Sequence, residues 1–386
     1  MGCVECKFYR QEDENSQFEY PPKDLKKNET SAFNTEINSI QNIIETNSNK
    51  IPNKNFCDEF ESKVNSIGKF ITEEEFQMAI SHITNIYMQT SPFPFQRKNL
   101  CSYKMRPVEF SQGNMYHGEW NESLEMEGYG KYFLKEENVL CEGIWEKGEL
   151  KNARIYYPNG EFYEGEMNNS LYNGKGKLVN ENKDTYEGGF LDGQKDGEGK
   201  IIFYDGTEYS GNFYENNFNG YGKMIWKNGI KYKGYFSDNY LEGNGIMEGE
   251  NEKYEGNFKN NLFNGKGKYR YENGDEYDGD FENGIRKGKG IYKQKNGFIF
   301  EGTWDNDVPN GFGKINLNEK IIKCNFHNGK LIEKPVDEDG LGYFNIDYNF
   351  YNQCMKLSGQ RLLYLENPDV VSSIFKADSI LSFLEE

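Results

Sequence analysis

The first seven residues of the chain, MGCVECK, carry the clearest chemical signal in the sequence. Removal of the initiating methionine would expose Gly2, whose amine is the group that N-myristoylation modifies. Cys3 and Cys6 follow closely and could carry palmitate, although Cys6 stands where serine or threonine is usual. One myristoyl chain binds a membrane weakly, so stable attachment needs a second signal. Because Glu5 and Lys7 form no polybasic segment, the pattern predicts dual acylation at Gly2 and Cys3, with Cys6 as a further site.

No other residues form a recognisable catalytic or metal-binding pattern. Cys3 and Cys6 could be half of a zinc site, but no second cysteine pair or histidine cluster complements them. The histidines, at positions 82, 117 and 327, are scattered, and the chain has no phosphate-binding Gly-Lys-Ser/Thr loop. The seven cysteines are odd in number and mostly far apart, which favours a reducing, intracellular environment. We therefore expect no catalytic residue, no metal and no cofactor.

The remaining signal is a repeat of Tyr, any residue, Gly, any residue, then an aromatic residue. Its leading positions recur every 22 to 25 residues. They are Tyr116, Cys141, Tyr163, Tyr186, Tyr209, Tyr232, Tyr254, Tyr277, Phe300 and Ile322. The second half of most repeats carries a Gly-x-Gly pair, usually followed by lysine, and then a short apolar run. Residues 152–154, Asn-Ala-Arg, replace that pair in the second repeat, and the tenth repeat lacks it, so we expect irregular geometry or a cap at both places.

Turn residues follow the apolar run in several repeats. They are Asn159–Gly160, Asp205–Gly206, Asn228–Gly229, Asn273–Gly274 and Asn296–Gly297. Asn-Gly and Asp-Gly tolerate positive φ at both central residues, so the pattern predicts type I′ turns between antiparallel strands. In a strand, residues two apart share a face, so each leading tyrosine, its glycine and the next aromatic residue point the same way. The sequence thus predicts an all-β fold, an elongated single sheet of stacked antiparallel hairpins.

This array resembles the MORN repeat, whose unit is the same Tyr-x-Gly-x-(Trp/Phe) strand followed by Gly-x-Gly. The resemblance covers about residues 106–332. It implies a repeat protein of nine to ten stacked hairpins that binds other proteins and organises membrane-cytoskeleton junctions, the cell cortex or ciliary structures. MORN proteins are also often proposed to bind acidic phospholipids.

The charge distribution limits the classes of partner. The formal net charge is −18, and residues 106–332 carry 29 basic and 38 acidic residues, a net of −9. An acidic chain argues against a nucleic-acid partner. A row of lysines could still form a local stripe for a lipid or a partner: Lys131, Lys177, Lys200, Lys223, Lys268 and Lys314. An acidic row follows most leading positions, so the two rows could instead pair across strands and keep the face solvated.

The segments around the array divide the chain into four predicted parts. We expect an acylated, largely disordered N-terminus over 1–33, a helical flanking region over 34–105, the MORN array over 106–332 and a C-terminal cap over 333–386. Predicted short flanking α-helices begin near Asn34, at a capping box of Thr72 with Glu75, and at Asn367 with Pro368. The last helix is expected to cap the sheet or to bind a partner or a second copy, which would make a homodimer.

These observations together favour a non-enzymatic scaffold rather than an enzyme. No apolar run is long enough to cross a bilayer, and the first twenty residues contain no apolar core of a signal peptide. The expected location is the cytoplasmic side of a membrane, either the plasma membrane or the cell cortex. The alternatives are a soluble component of the cilium or axoneme, similar to MORN-bearing radial-spoke proteins, and a module that binds anionic phospholipids.

Overall fold

The computed structural model describes residues 62, 66, 68–86, 93, 103–104, 106–110, 113–317, 320–332 and 336–337. Two compact units divide the chain between Tyr204 and Asp205. The predicted helices near Asn34 and Asn367 lie outside the described residues. The boundaries of the four predicted parts remain a prediction.

The first unit, residues 13–204, contains one helix and eleven strands in its described part. The elements are β1 (Gly68–Phe70), α1 (Glu73–Ile86), β2 (Tyr103–Lys104), β3 (Val108–Phe110), β4 (Met115–Trp120), β5 (Met126–Leu134), β6 (Val139–Glu146), β7 (Glu149–Tyr156), β8 (Phe162–Asn168), β9 (Leu171–Val179), β10 (Thr185–Leu191) and β11 (Gln194–Ile202). From β4 to β11 each strand pairs antiparallel with the next.

The second unit, residues 205–386, contains thirteen strands in its described part. They are β12 (Glu208–Tyr214), β13 (Asn217–Ile225), β14 (Lys231–Ser237), β15 (Tyr240–Glu248), β16 (Lys253–Lys259), β17 (Leu262–Arg270), β18 (Glu276–Glu282), β19 (Ile285–Lys293), β20 (Ile299–Asp305), β21 (Val308–Leu317), β22 (Lys320–His327), β23 (Lys330–Leu331) and β24 (Val336–Asp337). Consecutive strands again pair antiparallel up to β22. The predicted all-β fold of stacked antiparallel hairpins is confirmed.

A line of glycines, which we call the glycine row, crosses the strands at one level of each unit. In the first unit it runs through Gly118, Gly130, Gly143, Ala153, Gly165, Gly176, Gly188 and Gly199. In the second unit it runs through Gly211, Gly222, Gly234, Gly245, Gly256, Gly267, Gly279, Gly290, Gly302, Gly313 and Cys324. The Tyr-x-Gly and Gly-x-Gly motifs therefore supply facing positions on neighbouring strands.

Each leading tyrosine lays its ring over a facing pair in this row. A Cβ added at Gly188 would lie 2.5 Å from the hydroxyl of Tyr186, and one added at Gly199 would lie 2.6 Å from it. That hydroxyl donates a hydrogen bond to the carbonyl oxygen of Gly189, at 2.8 Å. The same bond, from the hydroxyl to the carbonyl three residues later, recurs at every leading tyrosine. Only glycine leaves room for the ring.

The exceptions to the glycine row occur where the leading tyrosine is missing. Ala153 occupies the row in the repeat led by Cys141, and Cys324 occupies it in the repeat led by Ile322. The bulge in the second repeat also differs from the others. There only Lys151 of β7 lacks an opposite residue on β6, whereas between β10 and β11 Gly189 stands opposite the three residues 196–198. Residues 152–154 pair in register with both neighbouring strands, and the register shift lies just before them, between Leu150 and Asn152. The tenth repeat ends with β22 paired to both β23 and β24.

The predicted type I′ geometry is wrong for the Asn-Gly turns. In the turn after β7, only Gly160 has a positive φ, of 85°, and its N–H donates to the carbonyl oxygen of Tyr157. This is the three-residue arrangement that ends in a left-handed glycine. The two-residue turns with positive φ at both centres lie at the opposite ends of the hairpins, for example at Asn169–Ser170 and Asn260–Asn261. Asn-Gly suits both turn types, so loop length decides between them.

Helix α1 confirms the predicted capping box. The N–H of Glu75 donates to Thr72 Oγ1 at 3.1 Å, and the N–H of Thr72 donates to Glu75 Oε2 at 2.6 Å. The apolar side of α1 packs in one buried cluster with four strand residues: Phe76, Ile80 and Ile83 with Met115, Phe133, Leu140 and Tyr156. These strand residues point away from the leading tyrosines, so α1 covers the opposite face of the sheet.

The tyrosine-on-glycine contact predicts a specific double-mutant cycle. A Cβ at Gly267 would lie 2.5 Å from Tyr254 Cε2 and 2.6 Å from Cζ, so we expect Gly267→Ala to lower the free energy of unfolding by about 1–3 kcal/mol. Tyr254→Cys should also destabilise, since it removes a buried ring. The double variant recreates the pair Cys141 and Ala153, so the two losses should be less than additive. Urea denaturation of the four proteins measures this coupling, and additive losses would contradict the contact.

Candidate binding surfaces

The sheet offers two faces of different chemistry. We call the face that carries the leading tyrosines the aromatic face and the face that carries the residues between them the polar face. On the polar face of the first unit, basic and acidic residues alternate across successive strands. The order is Lys131, Glu142, Arg154, Glu164, Lys177, Glu187 and Lys200. The predicted pairing of the two rows is therefore present in the register.

The contacts along this alternating row are partly buried near α1. Arg154 is only 2% exposed and its Nε donates to Glu164 Oε2 at 2.6 Å. Lys131 Nζ lies 3.6 Å from Glu142 Oε1. Because each cation faces at least one carboxylate across the strands, the first unit has no continuous basic stripe at the described lysines Lys131, Lys177 and Lys200.

In the second unit the alternation is incomplete. Lys268 lies between Glu255 and Asp278 across the strands, and its Nζ contacts Glu276 at 2.9 Å. Lys314 faces Glu301 on one side and Lys323 on the other. Lys223 faces Ser210 and Lys233, so it alone among the six predicted stripe residues has no acidic residue opposite it. The remaining predicted site residues, Gly2, Cys3 and Cys6, lie outside the described residues.

The aromatic face is packed by a repeated set of ring contacts. Tyr254 meets Phe258 of its own repeat at 5.1 Å and Phe281 of the next repeat at 5.3 Å between centroids, both edge to face. A third ring, Phe263, stacks on it at 3.6 Å. Each edge-to-face pair adds about 0.5–1.5 kcal/mol beyond its buried area. The leading tyrosines are therefore part of the core, and the exposed side chains of the polar face are the ones available to a ligand.

The residue nine positions after each leading residue from Tyr163 to Phe300 occupies what we call the ring-stacking position. The occupants are Tyr172, Lys195, Phe218, Leu241, Phe263, Arg286 and Pro309. Tyr172 and Phe218 stack on their leading tyrosines at 3.7 and 3.9 Å. The constant spacing was available in the sequence, but the chemically mixed occupants concealed it.

Two cations are buried at ring-stacking positions. Lys195 is 9% exposed and its Nζ lies 5.5 Å from the centroid of the Tyr186 ring. Burial lowers the pKa of Lys195 to about 8, although the charges of Asp184 and Glu161 act in the opposite direction. The folded protein therefore holds this ammonium at a cost in free energy near neutral pH.

Arg286 is 1% exposed and packs 4.5 Å from the centroid of the Trp304 ring. Its Nε donates to Asp307 Oδ1 at 3.1 Å and its Nη2 to the carbonyl oxygen of Asp307 at 2.6 Å. The same Oδ1 accepts the N–H of Arg286 at 2.8 Å. Asn239 Oδ1 makes the equivalent bond to the N–H of Phe218 at 2.7 Å. Arg286 and Asp307 thus replace a neutral pair at the same place in the fold.

Within the described residues, no group of three or more histidine, cysteine, aspartate or glutamate side chains is arranged to hold a metal ion. His117 contacts Glu73 at 3.2 Å and His82 contacts Asn138. Cys141 and Cys324 are buried, and burial raises the pKa of each thiol to about 12. No helix in the described part of the chain combines the length and hydropathy required to span a bilayer.

The geometry defines a repeat protein of antiparallel hairpins, most of them led by a tyrosine that lies over paired glycines. The sequence pattern of the MORN repeat matches seven times, at 163–185, 186–208, 209–231, 232–252, 254–276, 277–298 and 300–315. The chain is a MORN-repeat protein, as the resemblance of its motifs indicated, and MORN repeats indicate a repeat scaffold.

No curated protein matches the chain. The solved structures with a distant likeness include the following two. The TCP domain of SAS-4 from Drosophila melanogaster, in complex with a proline-rich motif of Ana2, is 14% identical with a TM-score of 0.25, over 56% of this chain and 97% of that chain. The TCP10 domain of CPAP from Danio rerio, in complex with a STIL peptide, is 13% identical with a TM-score of 0.26, over 62% and 97%. Likenesses this weak carry no argument about this chain.

The lowered pKa of Lys195 predicts a pH-dependent stability difference. The pKa of this lysine is about 8 in the folded protein and about 10.4 in the unfolded chain. Between these pH values the unfolded state binds more protons than the folded state, so the free energy of unfolding of the wild-type protein rises with pH. We expect Lys195→Met to raise the free energy of unfolding by about 1–3 kcal/mol near pH 7 and by less near about pH 9.5. Urea denaturation at both pH values measures this, with the exposed Lys200→Met as control. A difference independent of pH would contradict the prediction.

The buried pair predicts rescue of one substitution by another. Asp307→Asn leaves the Arg286 guanidinium buried without a carboxylate, so we expect a loss of about 3–5 kcal/mol in the free energy of unfolding. Arg286→Phe with Asp307→Asn recreates the pair Phe218 and Asn239, and this double variant should unfold at a higher urea concentration than Asp307→Asn alone. Equal or lower stability of the double variant would show that the charge pair is not the reason for the loss.

Proposed function

We propose that this MORN-repeat protein is a non-enzymatic scaffold, attached by N-terminal acylation to the cytoplasmic face of a membrane. The observation that supports the scaffold assignment is that one face of the sheet is packed with aromatic rings whereas the other presents exposed charged side chains. The leading tyrosines and their ring partners are buried in the core and are not accessible to a ligand. Five leading tyrosines are only 0–1% exposed: Tyr186, Tyr209, Tyr232, Tyr254 and Tyr277. The polar face repeats exposed charged positions strand after strand. A surface of this kind suits recognition of protein partners.

The polar face already binds one segment of this chain. Helix α1 docks on it through Phe76, Ile80 and Ile83, and Phe76 meets the His117 ring edge to face at 5.4 Å between centroids. An amphipathic helix that lays its apolar side on a hydrophobic surface groove is a recurring mode of recognition in proteins. The intramolecular example supports the proposal that further strands of the same face bind segments of other proteins.

The proposed tether rests on the first residues of the sequence. Gly2 would carry myristate and Cys3 palmitate, with Cys6 as a third site. Two chains give stable attachment where one does not, because each buried methylene adds about 0.8 kcal/mol. The net charge of −9 over residues 106–332 opposes binding to an anionic membrane, so the proposal makes the lipids responsible for attachment at the plasma membrane or cell cortex.

The tether predicts that attachment is lost with either acylation site. Full-length protein, Gly2→Ala and Cys3→Ser are expressed in cells that are fed tagged myristate and tagged palmitate, and the membranes are pelleted. Wild-type protein should pellet and carry both labels, Gly2→Ala should be soluble with neither label, and Cys3→Ser should keep myristate but be largely released. Cys57→Ser is the matched control and should behave as wild type. If wild-type protein is soluble and unlabelled, the tether is wrong, and a soluble ciliary component becomes the function to test by locating the protein.

A further inference from the structure

On the polar face of the second unit two lysines lie directly opposite each other at two places, Lys223 with Lys233 and Lys314 with Lys323. Lys314 also faces Glu301 on its other side, whereas neither Lys223 nor Lys233 faces an acidic residue. Lys223 on β13 and Lys233 on β14 lie directly opposite each other, between Ser210 on one side and Ile246 on the other. Five other repeats place glutamate at the position of Lys233: Glu142, Glu164, Glu187, Glu255 and Glu301. Like charges directly opposite each other destabilise a sheet. The array therefore carries an unfavourable arrangement where its own pattern offers a favourable one.

Both ammonium groups are available to a ligand. Lys223 and Lys233 are exposed. Neither has a carboxylate of any described residue within 4.0 Å of its nitrogen. Lys231 lies two residues before Lys233 on the same face and is also exposed. Three cations thus point from two adjacent strands into solvent.

An exposed tyrosine pair lies beside these lysines on the same face. Tyr221 and Tyr235 face each other across β13 and β14, with ring centroids 5.4 Å apart and exposures of 47% and 52%. The position of Tyr235 is polar or glycine in the other tyrosine-led repeats: Glu119, Glu166, Gly189, Asn212, Asn257 and Asp280. This pair adds no ring to the core, so packing does not explain it.

The spacing of these groups matches the period of an extended chain. Tyr221, Lys223 and Ile225 are two residues apart along β13, so their side chains leave the same face about 6.8 Å from one another. Tyr235, Lys233 and Lys231 lie opposite them on β14. An extended ligand has the same period, so an apolar side chain over the tyrosine pair places a side chain two residues later over the lysine pair.

We propose that Tyr221, Lys223, Ile225, Lys233 and Tyr235 form a docking site for an extended acidic segment of a partner protein, in which an apolar or aromatic residue stands two residues from a carboxylate. The carboxylate pairs with the two ammonium groups, and the apolar side chain covers the tyrosine rings. This site rests on the proposed scaffold function and assigns it a partner chemistry.

Charge around the site favours a peptide over a membrane surface. Glu208 on β12 and Glu242 and Glu248 on β15 lie on the neighbouring strands of the same face. A membrane presents an anionic plane that would meet these carboxylates together with the lysines, whereas a single peptide strand meets the lysines alone. The net charge of −9 over residues 106–332 also disfavours binding to an anionic membrane.

The test uses full-length protein and a fluorescein-labelled peptide, Ser-Phe-Ser-Glu-Ser-Leu-Ser, titrated by fluorescence anisotropy. Binding should weaken as salt is raised, because the charges are exposed. Lys233→Glu should weaken binding about tenfold or more, since it removes one cation and adds a repelling carboxylate. The same substitution restores the glutamate of the other repeats, so it should raise the melting temperature. Binding loss accompanied by higher stability cannot arise from misfolding.

Matched controls separate the parts of the site. Lys177→Glu reverses an exposed lysine that lies between two glutamates on the same face and should leave peptide binding unchanged. Tyr221→Ser with Tyr235→Ser should weaken binding without changing its salt dependence. A peptide with lysine in place of glutamate, or with phenylalanine directly beside glutamate, should bind more weakly.

Three outcomes would overturn the docking site. The first is the absence of peptide binding, and the second is equal peptide binding by Lys233→Glu and wild-type protein. The third is that non-acylated protein does not bind the peptide but binds phosphatidylserine vesicles, and that Lys233→Glu abolishes the vesicle binding. The last result would assign the patch to lipid. Lys233→Glu should still pellet with membranes, because its acylation sites are intact. Failure of the peptide with normal pelleting and labelling thus refutes the site alone, whereas normal peptide binding by an unlabelled, soluble protein refutes the tether alone.

Discussion

The placement of one tyrosine ring over two facing glycines governs the rest of this structure. The ring needs the space of two absent side chains, so it determines which residues face each other on neighbouring strands. Its hydroxyl then bonds to the carbonyl three residues later, next to the bulge where the strand register shifts. Register, bulge and ring packing are thus consequences of one contact, repeated with the period of the sequence. Ala153 and Cys324 support this reading, because each occurs where the tyrosine is absent.

Because the aromatic rings pack in the core, the two faces of the sheet have separate roles. The aromatic face contributes stability through neighbour-to-neighbour contacts, so each repeat depends on the next for part of its ring packing. The polar face is free to vary, and it does vary: α1 covers it near β4, alternating charges solvate it further on, and lysines and tyrosines meet on β13 and β14. Function is therefore expected in departures from the repeat rather than in the repeat itself.

The sequence predicted the features that depend on period and failed for those that depend on local geometry. The spacing of Tyr-x-Gly and Gly-x-Gly predicted the hairpins and the facing strands, and Thr72 with Glu75 predicted the start of α1. The pair Asn159–Gly160 did not reveal its turn type. An Asn-Gly pair fits a turn with positive φ at the glycine alone, and it fits equally a turn with positive φ at both residues. Lys223 was assigned to a regular row because its partner across the strands, Lys233, becomes apparent only once the register is known.

The near-identity of the repeats has a consequence for how the chain reaches its native pairing. Displacing one strand by a whole repeat would again match glycine with glycine and ring with ring, so the backbone pattern alone does not distinguish native from shifted pairing. Arg286 and Asp307 do distinguish them, because their contact joins residues 21 apart and a shifted partner would leave a buried guanidinium without its carboxylate. This pair identifies its own place in the array and disfavours pairing that is shifted by a whole repeat.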